Sequence, residues 1–175
     1  EPGNLWPANA RFQASEFTVP SRLLKLEGYK DITGTLAARW DGGRFEVTTS
    51  ASALPLVHGS RRCPPLVLEA RATGDTETAR LERLSVHTSG FEGRLSNEVK
   101  VNRSGGSLDP ELTLRLEADL AELPVAGLAG RLGGSLRVQP AGTNPPRVDF
   151  RLSGTELRGW EVAVKTLEVG GFVAW

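Results

Sequence analysis

The chain contains no methionine, a single cysteine, two histidines and one tyrosine among its 175 residues. Each shortage closes off a class of function. Cys63 alone allows neither an intrachain disulfide nor a thiolate metal cluster, and with only His58 and His87 beside it a zinc centre lacks ligands. Charge of one sign is also missing: 21 basic and 21 acidic residues balance, and no long run of either appears. That excludes the basic footprint of a nucleic-acid binder and a polybasic membrane patch. No stretch of about 20 apolar residues can cross a bilayer as a helix, and no charged-then-apolar leader is present. A chain without methionine is expected to be a segment of a longer protein, so an anchor is sought outside it.

What the sequence has in abundance is turn residues, with 20 glycines and 11 prolines, and between them apolar residues at every second position. Period-two alternation predicts strands whose two faces differ in polarity, and helical spacing is hard to find. Ile32, Leu36, Ala38 and Trp40 alternate with Thr33, Thr35, Ala37 and Arg39 before a turn at Asp41-Gly42-Gly43. Phe45, Val47 and Ala51 follow on the return strand, so Trp40 and Phe45 are expected to share a face. Leu66 and Leu68 continue the pattern, and the next strand carries Leu81, Leu84 and Val86, with a phase slip at Glu82-Arg83 that predicts a bulge. Phe91, Leu95 and Val99 lead to the cleanest strand, where Leu112, Leu114, Leu116, Ala118 and Leu120 interleave with charged and hydroxyl residues. Alternation resumes at Leu132, Leu136 and Val138, then at Val148, Phe150 and Leu152, and closes with Val162 and Val164, a second slip, and Leu167 and Val169. About ten strands result. Residues 1–175 read as one continuous unit, with leading strands and loop over 1–30 and repeats over 31–170. Leu54 to Pro65, rich in proline, is not expected to form a central strand.

Catalysis requires a constellation of activatable groups, and the candidates here are scattered. His58 and Cys63 lie close in sequence, but Gly-Ser-Arg-Arg between them and Pro-Pro after them describe a loop with nothing to orient the imidazole. His87 alternates with Val86 and Thr88 and belongs to the polar face. Glu111, Glu117 and Asp119 share a strand face with Arg115, which reads as charge pairing on a wet surface and not as a glycosidase carboxylate pair. Gly127, Gly130, Gly133 and Gly134 lack the lysine and the helix of a phosphate-binding loop. The expectation is a protein with no enzymatic activity and no cofactor. The informative feature is the apolar face itself. Alternation alone favours the packed core of a closed β-sandwich over an open groove.

A resemblance changes that balance. Leu123-Pro-Val-Ala-Gly-Leu-Ala-Gly-Arg-Leu-Gly-Gly-Ser-Leu-Arg-Val138, a proline-rich turn, Arg147-Val-Asp-Phe-Arg-Leu-Ser-Gly-Thr-Glu-Leu-Arg158 and Val164-Lys-Thr-Leu-Glu-Val-Gly170 resemble the repeat of the TamB/AsmA-like proteins. Asp31-Ile-Thr-Gly-Thr-Leu36 and Leu81-Glu-Arg-Leu-Ser-Val86 look like further copies. The resemblance implies an extended antiparallel sheet curled into a U-shaped groove, a β-taco, with an apolar concave face. It implies a place in the periplasm between the inner and outer membranes, with the full-length protein anchored in the inner membrane outside this segment. The cargo it implies is phospholipid or another acyl chain, and a BamA-type outer-membrane protein is a possible partner in translocation and assembly. The competing reading is a compact sandwich or lipocalin-like barrel that binds carbohydrate or a small ligand, and a third is a structural adhesin-like repeat.

Overall fold

A computed structural model describes residues 9–20, 29–55, 57–58, 61–62, 64–102, 107–109, 111–123, 127–139, 147–159 and 161–174. The described residues are strands and their turns: β1 (Asn9–Val19), β2 (Tyr29–Asp41), β3 (Arg44–Pro55), β4 (Val57–His58), β5 (Arg61–Arg62), β6 (Leu66–Asp75) and β7 (Thr78–Thr88). These are followed by β8 (Phe91–Leu95), β9 (Val99–Asn102), β10 (Ser107–Asp109), β11 (Leu112–Asp119), β12 (Ala129–Gln139), β13 (Arg147–Gly159) and β14 (Val162–Ala174). Twelve of them form one antiparallel sheet, and β4 and β5 pair only with each other. The main path runs β1-β2-β3-β6-β7-β8-β11-β12-β13-β14, with β9 and β10 attached beside β7.

The expected all-β, extended antiparallel sheet is therefore the architecture found. It is open, with β1 and β14 at opposite edges, and it is consistent with a curled groove. Among the described residues no second sheet of comparable size stands against it, and the sheet is not closed into a barrel. Local chemistry explains the hairpins. Gly42 and Gly43, at φ 55° and 86°, make the two-residue turn that lets Asp41 face Arg44. At the β6–β7 turn the Asp75 carboxylate accepts the backbone N–H groups of Glu77 and Thr78 at 2.9 and 2.8 Å.

The phase slips in the sequence are real irregularities. Ala72 faces Leu81 but Arg71 faces Arg83, so Glu82 is the extra residue of a bulge that keeps Leu81 and Leu84 on one face. Its carboxylate accepts the Thr73 hydroxyl and pairs with Arg71 at 3.2 Å. A second bulge lies in β13, where Glu156 sits at φ 52°. β8 with β9, and β10 with β11, form one interrupted hairpin, because Leu114 facing Leu95 and Ser107 facing Asn102 belong to the same register.

The leading strands and loop expected over 1–30 include a full edge strand, β1, eleven residues long. One expectation is corrected. β3 continues through Leu54 to Pro55, where the proline is its last residue, opposite Tyr29. A terminal position spares the ladder a missing N–H donor, and the other described residues of the proline-rich stretch stay off the main sheet.

Candidate functional site: a continuous apolar face

Directly opposed residues of antiparallel strands project to the same side, so the registers define the two faces strand by strand. One row crosses every strand of the main path: Phe17, Gly34, Ala51, Leu68, Val86, Gly93, Leu116, Gly134, Leu152 and Val169. All ten are apolar or glycine. Ten strands about 4.8 Å apart make this row roughly 45 Å long.

Further rows flank it. On one side run Ala14, Leu36, Thr49, Ala70 and Leu84, matched beyond β7 by Leu95, Leu114, Leu136, Phe150 and Gly171. Next come Phe12, Ala38, Val47, Ala72, Leu81 and Val99, with Leu112, Val138, Val148 and Val173 across the other half. Trp40 faces Phe45 in a fourth row that continues through Gly74 to Ala79 and Val101. On the other side of the central row lie Ile32 and Leu66, each opposite Ala53, and Phe91 and Leu132, each opposite Ala118.

The structure thus brings almost every residue singled out from the sequence onto one face. Val162 and Val164 lie there too, opposite Gly159 and Leu157 on the β14 side. Leu157 itself leans over this face, since a methyl group on Gly154 would meet its Cδ1 at 2.6 Å. Leu120 is the exception: it lies past the end of β11 in a turn, with its N–H donated to the Gly130 carbonyl at 2.9 Å. Missed were the β1 residues Ala10, Phe12, Ala14, Phe17 and Val19, although their alternation, with a slip at Ser15-Glu16, is visible in the sequence.

Among the described residues little covers this face: the only buried apolar side chains are those of Ala51, Ala53 and Val99, and of these Val99 alone is fully enclosed. Large side chains lie beside glycines on neighbouring strands: the Phe45 ring fills the space above Gly74, Leu152 that above Gly134, and the Phe150 ring that above Gly171. The result is an apolar surface levelled by large-against-small pairing.

The opposite face is charged and wet. Arg94 and Arg115 stand directly opposite each other, as do Glu92 and Glu117, an arrangement that repels across strands. Each arginine instead pairs along its own strand, Arg94 with Glu92 at 2.7 Å and Arg115 with Glu117 at 3.1 Å. These side chains border a surface depression of about 1320 Å³, which lies on the polar face. Other ion pairs join Arg71 to Glu46, Arg83 to Glu69 and Arg137 to Glu111. All are solvent-exposed and contribute to solubility more than to stability. His87 is exposed on this face, opposite Glu92. His58 falls in β4, and Cys63 lies outside the described residues. No group of three or more metal-ligating side chains occurs among the described residues. Among the described residues the one carboxyl with a clear shift is Asp75, held below its ordinary range chiefly by the backbone N–H of Thr78, then that of Glu77. It is a turn residue, distant in role from any reaction centre. No family model, curated protein or solved structure matches this chain.

Proposed function

We propose that this chain is a hydrophobic-groove segment of a bacterial envelope protein that binds phospholipid acyl chains and conducts them between the inner and outer membranes. The observation that carries the reading is the unbroken apolar row from Phe17 to Val169 across all ten strands of the main path. With its flanking rows it makes a face on the order of 1000 Å², from strand spacing and rise. Soluble monomers rarely leave more than a few hundred Å² of contiguous apolar surface open, so such a face calls for an occupant. Apart from Thr49, whose hydroxyl is donated to the Thr35 carbonyl, and Trp40, its side chains carry no hydrogen-bonding group. Affinity for an alkyl chain then grows with buried methylenes, about 0.8 kcal/mol each, and discrimination between lipids stays low. Low discrimination suits a conduit, in which a lipid slides past similar sites, and not a pocket that retains one ligand.

The resemblance to the TamB/AsmA-like repeat supports the periplasmic placement, the inner-membrane anchor outside this segment and the BamA-type partner. It also implies a sheet curled so that the apolar face is concave and the charged face meets water. The scattered titratable groups support a non-catalytic role.

The test uses neighbouring residues that the pleat sends to opposite faces. Photo-crosslinking groups at Val47, Leu95, Leu116 and Leu152 should all capture acyl lipid, while those at Glu46, Arg94, Arg115 and Arg151 should capture little. Labelling confined to one position, or equal on both faces, defeats the conduit. Native mass spectrometry of freshly purified protein should show co-purifying lipid.

A further inference from the structure

The two edge strands of the sheet are complementary to each other. Of the seven large apolar side chains that are most exposed, six lie on β1 or β14: Phe12, Val162, Leu167, Val169, Phe172 and Val173. Both outer edges are long, eleven residues in β1 and thirteen in β14, and among the described residues neither has a ladder partner on its far side. Long exposed edges of this kind template the addition of another strand.

Each edge strand also carries the same interruption. In β1 the apolar positions Ala10, Phe12 and Ala14 are separated from Phe17 and Val19 by two polar residues, Ser15 and Glu16, at the bulge. In β14 the positions Gly171, Val169 and Leu167 are separated from Val164 and Val162 by Thr166 and Lys165. We infer that β14 of one copy pairs antiparallel with β1 of a second copy, with Ala14 opposite Leu167 and Phe17 opposite Val164.

In that register Phe12 meets Val169 and Val19 meets Val162, so every exposed apolar position of β1 finds an apolar partner on the same face. The two interruptions coincide, and Glu16 stands directly opposite Lys165. Both side chains are exposed, and neither makes an ion pair with a described residue. On the same face Arg11 reaches Glu168 diagonally. A shift of two residues either way puts Ala14 opposite Lys165 or Leu167 opposite Glu16, which breaks the apolar match. Register is therefore specified by the slip itself.

Strand direction permits the contact as well. All neighbours on the ten-strand path are antiparallel, so β1 and β14 run in opposite directions, and a second copy in the same orientation presents β1 antiparallel to β14. The contact is heterologous and does not close on itself, so copies add end to end and the apolar face continues from one into the next. This assembly is independent of whether that face carries lipid.

Directly opposed strand residues have Cα atoms about 4.5–5.5 Å apart, within the span of a disulfide. In a Cys63→Ser background, oxidation of an equimolar mixture of Glu16→Cys and Lys165→Cys chains should give covalent dimers, whereas either variant alone should not. In sedimentation velocity the unmodified chain should self-associate with concentration. Lys165→Glu should weaken that association about tenfold by placing two carboxylates face to face, and adding Glu16→Lys should restore it. Both positions are exposed, so the variants keep the fold. A chain that stays monomeric, a Lys165→Cys variant that crosslinks to itself, or a charge swap that fails to rescue each overturns the proposal.

Discussion

Gly133 and Gly134 are adjacent in β12, yet the sheet gives them opposite tolerance for a single methyl group. Gly133 points to the charged face, where a Cβ would find nothing closer than the Leu116 carbonyl oxygen at 3.8 Å. Gly134 points to the apolar face, where a Cβ would lie 2.2 Å from the Arg151 carbonyl oxygen, 2.8 Å from Leu152 Cδ2 and 2.9 Å from Leu152 Cα. Two of those three atoms are backbone, so rotating a side chain does not relieve the clash; β12 and β13 must separate. Overpacking of this kind costs about 1–3 kcal/mol. Gly133→Ala removes unfolded-state freedom at no steric cost and should stabilise by about 0.4–1 kcal/mol. The two variants should therefore differ by roughly 1.5–4 kcal/mol, a gap in melting temperature of about 4–12 °C for a chain of this size. Thermal unfolding followed by circular dichroism reads the gap, and amide exchange at Leu152 should rise in Gly134→Ala alone. Equal stability of the two variants, or a more damaging Gly133→Ala, would refute the close approach of β12 and β13 on which the apolar face depends.

Leu114→Arg places a charge between Leu95 and Leu136 in the apolar face and should abolish lipid co-purification measured by native mass spectrometry, with loss of about 1–3 kcal/mol of stability from the lost burial. Joint replacement of His58, Cys63 and His87 should leave lipid capture unchanged, and a folded triple variant that no longer captures lipid would reinstate a chemical role for them. Asp75 has a folded-state pKa below its unfolded value, so its contribution to stability is present above the ordinary carboxylate range and lost as pH falls through the lowered value. Asp75→Ala should flatten that acid limb of a stability-versus-pH curve, while other carboxylates continue to titrate.

The sequence by itself determined sidedness. Once a segment such as Leu112 to Asp119 is a strand, period two sends Leu112, Leu114 and Leu116 one way and Thr113, Arg115 and Glu117 the other, whatever its partners are. The slips at Glu82 and between Val164 and Leu167 were legible for the same reason, since a broken phase in a strand that keeps its face demands an extra residue. Even Phe45 beside Trp40 followed locally, because the Gly42-Gly43 turn dictates which residues oppose. Tertiary structure decided what depends on contacts distant in sequence. That β1 is a full member of the sheet is a matter of pairing with β2, and that β7 is shared between β8 and β9 is a matter of where the next hairpin is interrupted. Leu120 continues the alternation of β11 and still donates its N–H to Gly130 of β12, but it lies past the end of the strand, in the turn. Phe172, apolar by type, falls on the charged face opposite Asp149, with the Arg147 guanidinium 4.0 Å from its ring centroid. Alternation assigns a residue to one of two sides, but register with a neighbouring strand determines which side that is. Register is set by backbone hydrogen bonds to another part of the chain, which a single segment of sequence does not contain.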